Sequence, residues 1–350
     1  MSRRKPSSGG GSSRLLGSAQ TRFFHGLTPD RILEAVERAG YVCTGRCLAL
    51  NSMENRVYDV EIEVEGEVRS PSERFRVAKF YRPGRWSRQQ ILDEHRFLAE
   101  LAEEEIPVVP PLAIIDGEET LGELPDLEIW FAVFPRIGGR LRDEISEEDA
   151  EQLGRLLARV HNVGARSKAT QRLRLDVATY GRGNLEYLLE SETIPAPYRE
   201  RYRHVAEQIC DRSEPWFEQA GVQRIHGDCH LGNILWGRES AMLVDFDDML
   251  EGPCVQDLWL IAPGRDEWAR ARRRALLDGY EQIRDFDHST LRLTEPLRAL
   301  RLLHFAAWIA RRWEDAAFAR VFTDFRTDRY WVEQIEALQE CAGALSAPEE

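Results

Sequence analysis

Lysine is nearly missing from this chain of 350 residues, which has 47 basic residues but only three lysines, Lys5, Lys79 and Lys168. Of these, Lys79 alone falls inside a predicted strand, and it is therefore a candidate functional residue. The formal net charge of −13 means that basic residues are not in excess. Nucleic-acid-binding proteins normally present a basic face, so we expect no nucleic-acid partner.

Long apolar runs are lacking as well. No stretch approaches the roughly eighteen apolar residues that cross a bilayer, so no membrane insertion is expected. Residues 1–24 are basic, rich in Ser and Gly and without the apolar segment of a secretory signal, and we predict a disordered tail. The six cysteines form no CxxC pair, which argues against a zinc ribbon or a thioredoxin-type site and favours reduced thiols. A cytoplasmic protein is expected.

The first half of the chain has the pattern of a small sheet. Apolar residues alternate with acids over 58–64, and a second strand is predicted at 74–81, with Lys79 near its end. A capping box formed by Ser87 and Gln90 predicts a helix that runs to about residue 104. Further strands are predicted at 112–115 and 128–134.

The second half, after Gly138, has the pattern of helices. Helical periodicity is clearest between Leu297 and Arg311, where His304 and Trp308 fall on one face. Helices are predicted at 147–163, 198–219, 266–284, 295–318 and 328–342, and short strands at 223–226, 234–236 and 242–244. We therefore predict a sheet-rich N-terminal lobe at 25–135 and a larger helical C-terminal lobe at 136–345.

The strongest chemical signal is the sequence HGDCHLGN at 226–233, followed by VDFD at 244–247. Kinase catalytic loops place an Asp, which orients and deprotonates the attacking hydroxyl, five residues before an Asn that binds magnesium. Asp228 and Asn233 have this separation, and Asp245 follows in the position of the metal-binding Asp of a DFG motif. Carboxylate and amide oxygens are ligands that Mg²⁺ prefers. We therefore predict Asp228 as the catalytic residue and Asn233 and Asp245 as magnesium ligands.

A metallohydrolase is an alternative, because His226, Asp228 and His230 alternate along the chain like metal ligands. The remaining histidines form no further cluster with metal-ligand spacing, and a zinc site usually needs at least one more ligand. We favour structural roles, in which His226 bonds to the loop backbone and His230 braces the loop. An ordinary acidic turn would explain any one of these residues but not their combined spacing.

Lys79 and Glu94 are predicted to supply the other half of a phosphate site. In kinases a strand lysine binds the α- and β-phosphates, and a glutamate of the following helix orients the lysine. A strand lysine is often merely solvated and a helix glutamate is commonplace, so the assignment depends on the C-lobe motif and on the order along the chain. Asp93 and Glu100 are alternatives to Glu94.

The loop that should cover the phosphates departs from the GxGxxG pattern of kinases. The chain has NSMENRVY at 51–58, without a glycine. Backbone N–H groups in a tight hairpin can still cradle phosphate, and Ser52 adds a hydroxyl, whereas an ordinary hairpin is the alternative. We expect the adenine of ATP to lie against the connection at 132–135, with Phe134 in contact.

Asp257, within GPCVQDLW at 252–259, is predicted to be a buried carboxylate that accepts N–H bonds from the catalytic loop. A surface salt bridge is the alternative. Only seven residues separate Asp245 from Pro253, and Asp247 replaces the glycine of DFG. This leaves no long activation segment, so we predict activity that does not depend on phosphorylation there.

The chain resembles the aminoglycoside phosphotransferase and choline kinase-like superfamily, whose catalytic loop reads HGDxHxxN. Longer segments, such as VAKFYRPGRWSRQQILDEH at 77–95 and EPLRALRLLHFAAWIARRW at 295–313, are similar to bacterial serine/threonine protein kinases of that superfamily. The resemblance, which covers about residues 25–340, implies an α+β protein-kinase-like bilobal fold with a small antiparallel β N-lobe and a larger helical C-lobe.

The same resemblance implies ATP and Mg²⁺ as cofactors and a protein substrate that is phosphorylated on Ser or Thr. It implies a cytoplasmic monomer that can autophosphorylate and that protects against envelope and oxidative stress. By position it assigns proton acceptance to Asp228, Mg²⁺ binding to Asn233 and Asp245, and a place at the ATP site to Ser52.

Three functions remain open at this point. The first is a protein kinase. The second is a kinase of a small molecule, an amino alcohol or an aminoglycoside, which the acidic character of the chain suits. A non-catalytic nucleotide-binding protein is disfavoured because every catalytic position is filled. The first two differ in what the C-lobe helices present to the acceptor, which the sequence does not reveal.

Overall fold

The computed structural model describes residue 24 and residues 26–68, 70–114, 119–237 and 240–345. The predicted disordered tail at 1–24 therefore lies, except for Phe24, outside the described residues. The fold is α+β, with an antiparallel sheet in the first part of the chain and mostly helices in the second, as predicted. None of the helices in the described part of the chain combines the length and apolar composition that a membrane span requires.

The first part of the chain is built around a five-stranded antiparallel sheet with the order β1-β2-β3-β5-β4. Its elements are α1 (Pro29–Arg38), β1 (Cys43–Leu50), β2 (Arg56–Ile62), β3 (Phe75–Phe80), α2 (Arg88–Glu103), β4 (Gly122–Leu124) and β5 (Ile129–Pro135). One face of the sheet packs on α1 through Val60, Ile62 and Phe80. β5 ends at Pro135, and the lobe boundary after residue 135 stays a prediction.

Local sequence accounts for much of this part. Ser87 accepts a hydrogen bond from the backbone of Gln90, whose side chain bonds back, so the predicted capping box starts α2. The strand predicted at 112–115 is wrong, because the described residues 112–114 are irregular. Leu112 still donates a backbone hydrogen bond of 2.7 Å to Val133. The edge strand next to β5 is instead β4, which was not predicted from the sequence.

The second part of the chain is mostly helical. Its helices are α3 (Glu147–Gly164), a π-helical turn (Val177–Arg182), α4 (Gly183–Glu190), α5 (Ala196–Gln219), α6 (Val255–Trp259), α7 (Glu267–Glu281), α8 (Thr294–Arg311), α9 (Ala316–Val321) and α10 (Asp328–Ala344). Its strands are β6 (Gln223–Ile225), β7 (Ile234–Trp236), β8 (Ala241–Leu243) and β9 (Leu250–Gly252). β6 pairs with β9 and β7 pairs with β8, both antiparallel.

The helix predicted at 295–318 is in fact two helices. α8 ends at Arg311, and Asp315 starts α9 by accepting a hydrogen bond of 3.0 Å from the backbone N–H of Ala317. A side chain that caps a new helix competes with continuation of the old one. The break places Arg312 next to the cleft described below.

α3 and α7 pack in very close contact because each has a glycine at the crossing. A Cβ atom added at Gly154 would lie 2.0 Å from the carbonyl oxygen of Leu276, and one added at Gly279 would lie 2.0 Å from that of Glu151. Real Cβ atoms do not approach backbone so closely, so both positions require glycine. α3 also packs against β6, which leads into the loop at 226–233.

Candidate active site

The sheet and the helical part enclose a cleft of about 740 Å³. Most of the side chains predicted as site residues line it, namely Ser52, Lys79, Glu94, Phe134, Asp228, His230, Asn233 and Asp245. His226 and Asp257 are fully buried beside it. Residues from distant parts of the chain therefore meet in one place.

The loop that carries Asp228 is held from below by Asp257. Its Oδ2 accepts a backbone hydrogen bond of 2.8 Å from His226, and its Oδ1 accepts one of 2.8 Å from Gly227. Gly227 has φ +86°, and a Cβ atom there would lie 2.3 Å from the carbonyl oxygen of Asp248. Because a left-handed backbone and this close approach both favour glycine, the loop geometry is specified locally. The buried His161 lies with Nε2 3.1 Å from Oδ2 of Asp257.

Both ring nitrogens of His226 are engaged by backbone. Nε2 lies 3.0 Å from the carbonyl oxygen of Val244, and Nδ1 accepts a bond of 3.4 Å from the N–H of Asp228. Nδ1 of His230 accepts a bond of 3.0 Å from the N–H of Gly232. A zinc ligand must offer a free nitrogen lone pair, and His226 has neither ring nitrogen to spare, so its contacts argue against the metallohydrolase alternative.

The carboxylate of Asp228 faces the cleft with two polar neighbours. Oδ1 accepts a hydrogen bond of 2.6 Å from Nη1 of Arg301, and Oδ2 lies 3.4 Å from Nε2 of His230. Burial opposes ionisation, but His230 and Arg301 hold the pKa of Asp228 well below its ordinary value. Asp228 is therefore charged at neutral pH and able to accept a hydrogen bond from a hydroxyl. Arg301 was not identified from the sequence.

Asn233 and Asp245 flank the β7–β8 hairpin, and the pairing of Ile234 with Leu243 brings them side by side. Nδ2 of Asn233 donates a hydrogen bond of 3.0 Å to the carbonyl oxygen of Asp228, which leaves its Oδ1 to act as a ligand. Asp245 has φ 60°, and its side chain is 55% exposed in the cleft.

These two side chains fit Mg²⁺, which is usually held by one or two protein oxygens together with water and substrate phosphates. Among the described residues, no group of three or more His, Cys, Asp and Glu side chains has the geometry of a metal site. The donor set at Asn233 and Asp245 is thus suited to a cation that arrives with a nucleotide rather than to a permanently bound zinc ion.

Lys79 is buried on β3 and lies among three carboxylates. Nζ lies 3.1 Å from Asp247, 3.3 Å from Asp245 and 3.5 Å from Glu94. Burial disfavours the charged form, but these carboxylates raise the pKa of Lys79 well above its usual value. Burial also disfavours the charged form of Glu94 and raises its pKa to about 7, although the positive charge of Lys79 lowers it.

The helix glutamate beside Lys79 is Glu94 rather than its two rivals. Asp93 accepts a hydrogen bond of 2.9 Å from Arg96, and Glu100 pairs with Arg224 at 2.5 Å. Both rivals therefore point to other partners on α2 or in the second part of the chain.

Asp247 has a larger part in the site than its position in the motif suggested. It is buried, it pairs with Lys79, and it also bonds to Arg85, which in turn contacts Asp248. A glycine in this position would leave Arg85 and Lys79 without this counter-charge. The sequence pointed to Asp247 only as a departure from DFG, and it gave no signal for Arg85.

Residues 51–55, here called the cover loop, close the cleft from the sheet side. Ser52 lines the cleft, and Glu54 pairs with Arg82 at 3.0 Å and with Arg312 at 2.7 Å. Burial opposes ionisation, but Arg85, Arg312 and Arg82 hold the pKa of Glu54 below its ordinary value. The cover loop is therefore held by ion pairs, and these pairs were not foreseen from its sequence.

Phe134 lies on β5, opposite Val77 of β3, and lines the cleft where the sheet passes into the helical part. Its ring makes an edge contact with His95, at a centroid distance of 6.4 Å. Val77 and Leu243 also line the cleft, so an apolar region lies beside Phe134. Such a region suits a flat, apolar ring such as adenine.

Residues 48–294 match the phosphotransferase enzyme family. The chain is 36% identical over 326 residues to stress response kinase A of Escherichia coli (strain K12), covering 93% of this chain and 95% of that protein. It is 35% identical over 326 residues to serine/threonine protein kinase RdoA of Salmonella typhimurium (strain LT2), with the same shares covered.

Two solved structures show the same fold at low identity. Amicoumacin kinase hAmiN, in complex with AMP-PNP, Ca²⁺ and Ami, aligns with a TM-score of 0.70 at 18% identity, covering 90% of this chain and 93% of that chain. The microcompartment-associated aminopropanol kinase aligns with a TM-score of 0.68 at 19% identity, covering 92% and 99% respectively. At identities this low, the likeness shows that the fold is shared and does not identify the substrate.

Proposed function

Since the chain belongs to the phosphotransferase enzyme family, we propose that it is a serine/threonine protein kinase that uses ATP and Mg²⁺. The observation that carries the proposal is the position of Asp228, whose charged carboxylate faces the same cleft as Lys79, Asn233 and Asp245. The name of the Salmonella relative, a serine/threonine protein kinase at 35% identity, favours a protein as the acceptor.

The nucleotide has a complete set of contacts in this proposal. Adenine packs beside Phe134, and the charged Lys79 binds the α- and β-phosphates while Glu94 keeps its Nζ in position. Asn233 and Asp245 hold Mg²⁺, which when bound neutralises charge on the phosphates. The cover loop, with Ser52, closes over the phosphates.

Asp228 receives the acceptor in this mechanism. Its carboxylate accepts a hydrogen bond from the Ser or Thr hydroxyl and aligns the hydroxyl oxygen with the γ-phosphorus. A bond forms between that oxygen and phosphorus as the bond from phosphorus to the β–γ bridging oxygen breaks. ADP leaves with the bridging oxygen, and the hydroxyl proton passes to Asp228. Such proton acceptance typically contributes about 10²–10⁴-fold to the rate.

A small-molecule kinase is the second candidate, because both solved neighbours are named as kinases of small molecules. Their likeness, at 18% and 19% identity, concerns the fold, whereas the relative named as a serine/threonine protein kinase is 35% identical. The cytoplasmic location, the monomeric state, autophosphorylation and the role in stress stay predictions that follow from the resemblance.

The test is transfer from γ-³²P-labelled ATP with Mg²⁺, using casein as a generic protein and an aminoglycoside and an amino alcohol as small acceptors. We expect label on protein, and a loss of about 10²–10⁴-fold in Asp228→Asn with nucleotide binding retained. Label on the small acceptors alone would support the second candidate. Undiminished transfer by Asp228→Asn would contradict both.

A further inference from the structure

One side of α8 forms the wall of the cleft that an acceptor must pass. The residues of this wall recur at helical spacing, and all of them line the cleft: Leu297, Arg301, His304, Phe305 and Trp308. The wall begins at Asp228, which Arg301 contacts, and ends at the cover loop, where Trp308 Nε1 donates a hydrogen bond to Glu54. It therefore spans the distance from Asp228 to the cover loop.

The carboxylates around this wall are all paired with cations. Those of the described residues lining the cleft pair as follows: Glu54 with Arg82 and Arg312, Glu94, Asp245 and Asp247 with Lys79, Asp248 with Arg85, and Asp228 with Arg301. Each of these pairs offsets negative charge that would otherwise attract the amines of a polycationic acceptor such as an aminoglycoside or a polyamine.

Arg301 supplies the positive charge of the wall itself. Its side chain is 41% exposed, so part of the guanidinium faces the cleft beyond its contact with Asp228. Burial, together with Arg311 and Arg301, lowers the pKa of His304 to about 3, and the neutral ring stacks on Tyr180 at 4.6 Å. The next turn of α8 presents an apolar surface made by Phe305 and Trp308. Their rings stack with a centroid distance of 5.5 Å, and Phe305 is 42% exposed.

We infer that this wall selects an acidic acceptor segment, in which Arg301 binds a carboxylate beside the Ser or Thr hydroxyl and Phe305 and Trp308 pack against an apolar side chain. The inference rests on the proposed protein-kinase function. A guanidinium has five N–H donors in a planar fork, so Arg301 can hold Asp228 and an acceptor carboxylate at the same time. The guanidinium of Arg301 then bridges the acceptor carboxylate and Asp228. This bridge places the neighbouring Ser or Thr hydroxyl next to Asp228.

The test compares three peptides that differ at one position next to a single Ser, carrying Glu, Gln or Lys there, with an apolar residue one turn away. We expect wild type to phosphorylate the Glu peptide with a kcat/KM about ten-fold above that of the Gln peptide, and the Lys peptide least well. In Arg301→Gln the ratio of kcat/KM for the Glu peptide to kcat/KM for the Gln peptide is expected to fall to about one, whatever the change in absolute rate.

Three further variants control for the position, the apolar contact and the geometry of the charge. Arg298 lies one turn earlier on α8 and pairs with Glu295, so Arg298→Gln is expected to keep the wild-type ratio. Phe305→Ala is expected to raise KM for all three peptides without changing their order. Arg301→Lys keeps the charge but not the fork, and should recover only part of the ratio.

The outcomes separate the inference from the function on which it rests. Equal use of the three peptides by wild type, or preference for the Lys peptide, would overturn the inference and leave the protein kinase standing. Phosphorylation of an anionic small alcohol with no label on any peptide or protein would overturn both. A ratio that survives in Arg301→Gln would exclude Arg301 as the residue that reads the acidic position.

Discussion

Nε of Arg312 lies 2.7 Å from Oε2 of Glu54, and this ion pair joins the cover loop to the residue that follows α8. The same carboxylate pairs with Arg82 at 3.0 Å, so one side chain links both parts of the molecule. Flexible kinase loops of this kind are rich in glycine, whereas this one is fixed by charge. The stability of the fold and the position of the cover loop should therefore depend on the same carboxylate.

Glu54→Gln is expected to destabilise the protein by about 3–5 kcal/mol, because it removes the carboxylate that pairs with the buried Arg312, while Arg82 keeps its pair with Asp315. KM for ATP should rise as the loop loses its attachment. Urea unfolding and steady-state kinetics measure the two effects. Glu333→Gln is the matched control, since Glu333 pairs with Arg329 on the exposed surface of α10 and should leave the urea midpoint unchanged.

A double-mutant cycle of Glu54→Gln and Arg312→Gln isolates the pair itself. Residues in direct contact usually show coupling energies of about 0.5–3 kcal/mol, and we expect a value in this range. Additive effects of the two substitutions would show that the cover loop is held by other contacts.

Stability should fall at alkaline pH because of His161. Burial opposes its protonation, but Cys254 and Asp257 together raise the pKa of His161 to about 9. An unfolded histidine has a pKa of about 6.5, so the folded state binds the extra proton. The contribution of protonated His161 to the stability of the folded protein is complete below about pH 6.5 and is lost as the pH rises through 9.

This pH effect is measured as the free energy of unfolding in urea at pH 6.5 and pH 9.5. Wild type should lose more stability than His161→Gln over this interval, because the imidazolium of the folded protein gives up its proton there and glutamine has none to give. Parallel loss in both proteins would mean that His161 is neutral in the folded state.

The glycine contacts between α3 and α7 give a packing prediction. Gly154→Ala must push a backbone carbonyl aside, and overpacking of this kind typically costs about 1–3 kcal/mol and occasionally more. Gly343→Ala is the control, since nothing lies within 4 Å of a Cβ atom there. Because alanine favours the helical conformation of α10, the control is expected to be neutral or more stable by up to about 1 kcal/mol. Gly154→Ala should therefore lower the midpoint of thermal unfolding, whereas Gly343→Ala should leave it unchanged or raise it.

Activity should not require phosphorylation after Asp245. Residues 246–256 contain no Ser, Thr or Tyr, and β9 within them is already paired with β6. Protein treated with a phosphatase and checked by intact mass should turn over as fast as untreated protein. A drop of more than ten-fold after treatment would reveal a regulatory phosphate elsewhere in the chain.

The catalytic loop could be placed from the sequence because its geometry is local. Asp228, Asn233 and Asp245 lie within eighteen positions of one another, and a short hairpin is enough to bring them together. Alternation over 58–64 likewise predicted a strand because one face is buried and the other is not. Ser52 and Phe134 were also named from the sequence, and both line the cleft, whereas their contact with ATP remains a proposal.

The contacts missed from the sequence join residues that are far apart in the chain. Arg301 is 73 positions from Asp228, and Arg312 is 258 positions from Glu54. No periodicity or spacing records such a pair, since a guanidinium reaches its partner only after the helices have packed. β4 and β9 were missed for another reason, because each has three residues of which one is a glycine, a residue that is depleted in strands, whereas the equally short β6, β7 and β8 contain none.

The scarcity of lysine has a practical consequence for anyone who handles this protein. Amine-directed coupling to a resin or a sensor chip proceeds through unprotonated, accessible amines, and few are available. Lys168 is exposed, whereas Lys79 is buried and held in its protonated form by three carboxylates. Immobilised protein should therefore keep its nucleotide pocket chemically intact.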